Sequence, residues 1–167
     1  MNKKYKFYVQ YNGDNMKIDF KKLISSILIT FLIGCLFVPF VDSFSLYNEL
    51  NKGIELPAIV FPIVWSILYL IMGISLYMIR KNEDYGKNSA YKIYFAQLVV
   101  NSIWTLIFFI LKMYVLSFIW IILLLILVII MVIKFYKIKK VSGLINIPYI
   151  IWLLIASYLS FSIIVLN

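Results

Sequence analysis

Histidine is absent from the 167-residue chain, and cysteine occurs once, as Cys35. Without imidazole there is no Ser–His pair, no histidine base near neutral pH and no histidine ligand for a metal or a haem iron. One cysteine makes neither an internal disulfide nor a multi-thiolate metal site, so no metal site is expected. Cys35 lies in an apolar run and reads as a small buried hydrophobe. Acidic residues are few, seven against sixteen Lys and Arg, which leaves a net charge of +9. Charged residues make up only 14% of the chain, where a soluble domain carries about 25%.

Apolar residues fill the space the charges leave. They account for 64% of the sequence, and the mean hydropathy is +0.98. A soluble domain of this length leaves too much of its chain at the surface to hide that much apolar area. A soluble globular enzyme, a disordered chain and a coiled coil are excluded. A polytopic membrane protein remains, with room for five spans of roughly 20 residues each.

Five stretches carry no Lys, Arg, Asp or Glu: 23–41, 57–79, 93–111, 113–133 and 144–166. They are long enough to cross hydrocarbon as helices, which satisfy their own backbone as lipid demands. Only Lys112 separates the third from the fourth, so the turn there must be very tight or Lys112 must snorkel from a helix end. The fold class is thus an all-α five-transmembrane-helix bundle, with a basic tail over 1–22 and one membrane domain over 23–167. The first apolar run is too long, and no small-residue cleavage site follows it, so it is expected to be an uncleaved span.

The basic residues fix the orientation. Lys3, Lys4, Lys6, Lys17, Lys21 and Lys22 precede the first stretch; Arg80, Lys81, Lys87 and Lys92 follow the second; Lys134, Lys137, Lys139 and Lys140 follow the fourth. The other side receives only Lys52 and Lys112, a split of fourteen to two. The N-terminus is therefore expected in the cytoplasm and the C-terminus outside. The positive charge is a topology signal, with anionic membrane lipid as its partner and no nucleic acid. The alternation of lysine and aromatic rings in Lys4, Tyr5, Lys6, Phe7 and Tyr8 fits an interfacial or flexible tail. The expected location is the cell membrane, as an integral multi-pass protein.

Helical spacing then sorts the faces. Phe61, Trp65, Tyr69 and Met72 follow one another at steps of four, four and three, one aromatic stripe on one face. Pro57 suits a helix start, and Pro62, one turn in, should kink the helix. Gln97, Asn101, Trp104, Thr105 and Phe108 share a face of the third stretch. A buried amide without a partner loses on the order of 2–7 kcal/mol, so Gln97 and Asn101 should face protein or a cavity rather than lipid. Hydrogen bonding that only holds helices together would explain Asn101 equally well. In the fifth stretch Pro148, Trp152, Ala156 and Ser160 line up at steps of four, and Pro148 should kink that helix near its cytoplasmic end. Trp65 and Trp152 stand nine residues into their stretches, about 12 Å along a helix axis, and Trp104 stands twelve in, all deeper than the interfacial belts where tryptophan usually sits. No acid or base lies in any span, which argues against a proton-coupled pump and against acid–base catalysis in the bilayer. Aromatic faces with a few amides and hydroxyls suit a flat, hydrophobic ligand.

These blocks resemble the tryptophan-rich sensory protein, or TspO/MBR, family, which includes the mitochondrial translocator protein, the peripheral-type benzodiazepine receptor. Pro57 and Phe61 followed by Val64, Trp65, Leu68, Tyr69, Met72 and Gly73 match the second-helix signature. Gln97, Leu98, Asn101, Trp104, Phe108 and Phe109 match the third-helix block; Pro148, Tyr149, Trp152, Ala156 and Asn167 match the fifth. The resemblance covers about residue 23 to the C-terminus. It implies a bundle that binds porphyrins such as protoporphyrin IX and haem, sterols and benzodiazepine-type compounds in a pocket covered by the first loop, and family members are often homodimers. It implies pocket roles for Tyr47, Phe61, Trp65, Tyr69, Asn101, Trp104, Phe108, Trp152 and Ala156. Trp65 and Trp152 match the tryptophans associated with proposed porphyrin photodegradation. The chain departs from the pattern at Leu46, where the loop usually carries Trp, at Ala58 in place of a second proline, and at Ser160, often Asn. A cholesterol-type motif starting at Leu154 and Tyr158 fails because no Lys or Arg follows. Nor does the third helix complete a small-residue dimer face, since Ala96 is followed by Val100 and Trp104.

Three functions compete on this reading. A sensor or regulator of tetrapyrrole or stress response would bind the porphyrin as a ligand, with no cofactor required. A light- and oxygen-dependent porphyrin-degrading enzyme would use Trp65 and Trp152. A transporter of porphyrin- or sterol-like ligands would need alternating access, for which five spans without charged sites or internal repeats offer little support.

Overall fold

The computed structural model describes residues 18–40, 47–82 and 86–167. Leu46 and the N-terminal lysines up to Lys17 lie outside them. The described residues form helices and no strands: α1 (Phe20–Gly34), a 3-10 turn (Val38–Phe40), α2 (Val60–Arg80), α3 (Lys87–Thr105), α4 (Tyr114–Ile138), α5 (Lys140–Leu144) and α6 (Ile147–Leu166). They make five segments long and apolar enough to cross a membrane, Phe20–Phe40, Val60–Arg80, Lys87–Ile110, Tyr114–Ile138 and Lys140–Leu166.

Helix ends follow local chemistry. Asp19 caps α1 by accepting the Lys22 amide proton at 3.0 Å. That bond stabilises the ionised carboxylate and holds its pKa below the ordinary value. Gly34 ends α1 earlier than expected, seven residues short of 41. The uncharged run extends further because the 3-10 turn and Pro39 are also uncharged.

The expected kink at Pro62 is corrected. α2 begins at Val60 rather than Pro57, which places Pro62 third in the helix. The N–H groups of a first turn have no intrahelical partner, so the one proline lacks is not missed. Pro148 acts as expected. It stands at the second position of α6, and the chain breaks between α5 and α6 at Ile145 and Asn146. Lys112 sits in a tight turn with φ 53°, after α3 has widened into a π-helical segment, Leu106–Ile110.

Helices α1 and α2 lie close together, and α3, α4 and α6 pack in sequence, with α5 wedged between α2 and α4. Ser26, Thr30 and Gly34 form the buried stripe of α1 at helical spacing. Small residues let backbones approach, and a Cβ on Gly73 would lie 2.7 Å from the Ile27 Cα. Leu28, Leu32, Ile63, Ile67, Ile119, Ile151 and Leu154 point outward as the lipid-facing surface. Between α2 and α6 a groove of about 230 Å³ remains, lined by Val64, Ile67, Leu68, Pro148, Ile151, Trp152 and Ile155.

The aromatic chamber and its polar floor

Two polar layers tie the bundle together. Toward the end of the bundle where α2 finishes and α6 begins, Ser75 Oγ donates to the Ser142 carbonyl at 2.8 Å, and Asn146 Nδ2 donates to Ser75 Oγ at 2.7 Å. At mid-depth, Tyr69 Oη donates to the Gly34 carbonyl or Asn101 Oδ1, each at 2.9 Å. Asn101 Nδ2 donates to Tyr149 Oη at 2.9 Å, and Tyr149 Oη donates to Gln97 Oε1 at 3.1 Å. Gln97 and Tyr149 are fully buried, and Asn101 is 2% exposed. The amides expected to avoid lipid do face protein, and they brace three helices.

Aromatic rings stand on this floor toward the opposite end of the bundle, where the first loop lies. Phe61 meets Tyr47 edge-on at 4.7 Å between centroids and Trp152 at 5.7 Å. One turn deeper, Trp65 contacts Tyr69 at 5.5 Å and Tyr149 at 5.9 Å. Trp104 stacks on Phe108 at 5.1 Å and ties its indole N–H to the Ser117 carbonyl at 3.1 Å. Of these rings, Trp104 is tied by a hydrogen bond, and Phe61 is held by ring contacts alone.

Two cavities open among them. One, of about 180 Å³, is lined by Cys35, Val38, Phe61, Pro62, Trp65, Ser66, Tyr69, Trp104, Thr105 and Phe109. The other is a gap of about 20 Å³ bordered by Tyr47, Phe61, Trp104, Phe108, Phe109, Ala156, Leu159, Ser160 and Ile163. Phe61, Trp104 and Phe109 belong to both and form the partition. The residues singled out in the sequence thus divide. Trp65 and Tyr69 border the larger cavity; Tyr47, Phe108 and Ala156 border the gap; Trp152 borders the α2–α6 groove and reaches the others through Phe61. Asn101 lies behind them in the polar floor.

Sequence reasoning missed three contributors. Cys35, expected as a small buried hydrophobe, is half-buried: it packs against the core and also lines the larger cavity. Phe109 completes the partition; it stands four residues after Thr105, which lines the same cavity, and that spacing was the available signal. Tyr149 closes the hydrogen-bonded floor; its place one turn before Trp152 was the available signal.

Two buried donors stand out. The indole N–H of Trp152 has no acceptor among the described residues, and the Tyr47 hydroxyl makes no hydrogen bond of normal geometry. Burial raises the pKa of Tyr47, and the Leu56 amide acts against it.

Comparison with known proteins agrees with this architecture. The profile of the TspO/MBR family matches residues 26–166. The chain is 33% identical to a tryptophan-rich protein TspO of Archaeoglobus fulgidus over 154 residues, 87% of this chain and 97% of that one. It is 30% identical to the tryptophan-rich sensory protein of Cereibacter sphaeroides over 72% of this chain and 76% of that one. The protein CrtK of Rhodobacter capsulatus is 32% identical over 72% and 78%. A five-span helical bundle, an aromatic chamber built on three spans and a family match across nearly all of the membrane domain lead to one assignment: the chain is an integral membrane protein of the TspO/MBR family.

Proposed function

We propose that the protein binds a planar hydrophobic ligand, a porphyrin such as protoporphyrin IX or haem, in the aromatic chamber, and acts in the cell membrane as a sensor or regulator of tetrapyrrole or stress response. The observation that carries this is the pair of cavities walled by Phe61, Trp65, Trp104 and Phe109, with the polar floor beneath. Flat aromatic walls stack a flat ring, and the buried Trp152 and Tyr47 donors supply hydrogen bonds to acceptors on its edge. The relative named a tryptophan-rich sensory protein supports the sensory part of the reading.

The larger cavity, about 180 Å³, falls below the roughly 300–1,000 Å³ of drug-sized sites. Adding the gap of about 20 Å³ still leaves it short, so a macrocycle enters only if Phe61, Trp104 and Phe109, which divide the two spaces, move apart. With no histidine in the chain, metal-free porphyrin is the simpler ligand. Photo-oxidative degradation is the second reading, favoured by Trp65 lining the cavity in ring contact with Tyr69 and Tyr149.

The test is titration of the purified full chain with protoporphyrin IX, following tryptophan fluorescence. Saturable quenching at micromolar ligand is expected. Ala156→Leu, which fills the gap beside Phe61, should weaken it about tenfold while the melting curve shows a folded protein. Absence of saturable quenching by the parent chain overturns the proposal. For the second reading, Trp65→Phe with Trp152→Phe should abolish light-dependent bleaching of bound porphyrin; an unchanged rate excludes it.

A further inference from the structure

The first loop is pinned at one point. The Asn51 amide donates to Asn167 Oδ1 at 3.0 Å, and the Asn51 carbonyl accepts from Asn167 Nδ2 at 2.9 Å. Two residues on, the Gly53 amide donates to Ser162 Oγ at 3.2 Å. A Cβ on Gly53 would lie 2.9 Å from the Tyr158 hydroxyl and 3.2 Å from the Ser162 Cβ, so the loop lies flush on the end of α6. These bonds flank a single residue, Lys52.

Its ammonium stands 4.5 Å from the centroid of the Tyr47 ring, and among the described residues it has no ion pair and no hydrogen bond. Glu49 and Glu55 share the loop but do not pair with it. Below Tyr47 the ring contacts continue through Phe61 to Trp152. Lys52 therefore caps a ladder of aromatic rings that runs from the outer surface into the chamber. Lys112, the other outer cation, stands in the turn between α3 and α4, three residues after Phe109, and has no ring beneath it among the described residues. Ordering a loop lowers its entropy, and a cation already ordered binds an anion without losing it again.

We propose that Lys52 is the counter-ion for a carboxylate of the ligand, and that the outer mouth selects planar ligands with an acidic edge, porphyrin acids, over neutral ones of the same shape. Asn167 and Ser162 are positioning residues that hold the lysine over the mouth. The proposal rests on the porphyrin-binding reading above.

The experiment titrates the full chain, in nanodiscs of zwitterionic lipid, with protoporphyrin IX and with its dimethyl ester. Zwitterionic lipid keeps anionic headgroups from competing for Lys52. Lys52→Gln should weaken the diacid by about three- to tenfold and leave the diester unchanged, and Lys52→Arg should keep the diacid within about twofold of the parent. Raising the salt should weaken diacid binding to the parent chain and not to Lys52→Gln. Equal loss of diacid and diester in Lys52→Gln overturns the proposal, since Lys52 would then only hold the Tyr47 ring in place. Unchanged diacid binding overturns it too, with the porphyrin-binding reading intact. If neither compound quenches the parent chain saturably, that reading falls and the proposal falls with it.

Discussion

Tyr149, matched in the fifth-helix block but given no role there, ties α6 to α3. Its hydroxyl accepts from Asn101 and donates to Gln97, both inside the bundle, so its removal orphans two groups at once. A partner left unsatisfied in the interior costs about 1–3 kcal/mol, although interhelical hydrogen bonds within membranes average nearer 0.6 kcal/mol. Tyr149→Phe should therefore lower stability by about 1–2 kcal/mol. Tyr136→Phe, at an exposed position of α4, should leave it unchanged. Thermal unfolding in detergent reads both, and equal melting temperatures would show that the network contributes nothing. Asn101 was legible from the sequence because an amide among apolar residues has few places to go. Its partners were not. Whether Asn101 meets Tyr69, Tyr149 or a ligand depends on how two other helices turn about their axes, and one sequence with its helical spacing does not contain that rotation.

Elements were legible where lipid sets the rule. Charge-free length and the demand for internal backbone hydrogen bonds marked all five spans. They were not legible at their ends. Helices α3 and α4 run past the uncharged stretches through Lys87, Lys92, Lys134 and Lys137, since a helix continues as long as its backbone is satisfied and lysine reaches water from within it. The π-helical widening after α3 was equally hidden, because it answers to the tight turn at Lys112. Close packing of α1 on α2 yields a prediction at this scale. The Cβ of Gly73→Ala would press on the Ile27 Cα at 2.7 Å and on its Cγ1 at 2.9 Å. Backbone cannot rotate away as a side-chain tip can, so the helices must separate. A loss of about 1–3 kcal/mol is expected, the usual penalty of overpacking. Gly86→Ala is the control, as its added Cβ meets Ile138 at an ordinary 3.6 Å. A Gly73→Ala protein that melts with the parent would mean that α1 and α2 adjust freely.

For the whole molecule, orientation is the property that composition carries most directly. The bundle has the same internal contacts either way up; only the fourteen-to-two division of Lys and Arg distinguishes its ends. It puts Arg80, Lys87 and Lys134 on the cytoplasmic side, where Arg80 donates to Ser25 Oγ at 2.7 Å and Lys134 Nζ donates to Ser89 Oγ at 2.7 Å. It puts Lys52, Tyr47 and the mouth of the chamber outside. Both halves can be read in one experiment. Cys35→Ser removes the only thiol, and single cysteines are then placed at Glu55→Cys, in the first loop, and at Asn88→Cys, at the start of α3. Both positions are exposed, so labelling depends on side and not on burial. A membrane-impermeant maleimide added to intact cells should label the cysteine at position 55 and spare the one at 88 until the cells are opened. The reverse pattern would place the chamber mouth in the cytoplasm. A ligand reaching Lys52 would then come from the cell's own pool rather than from outside, and the direction of any signal would invert with it.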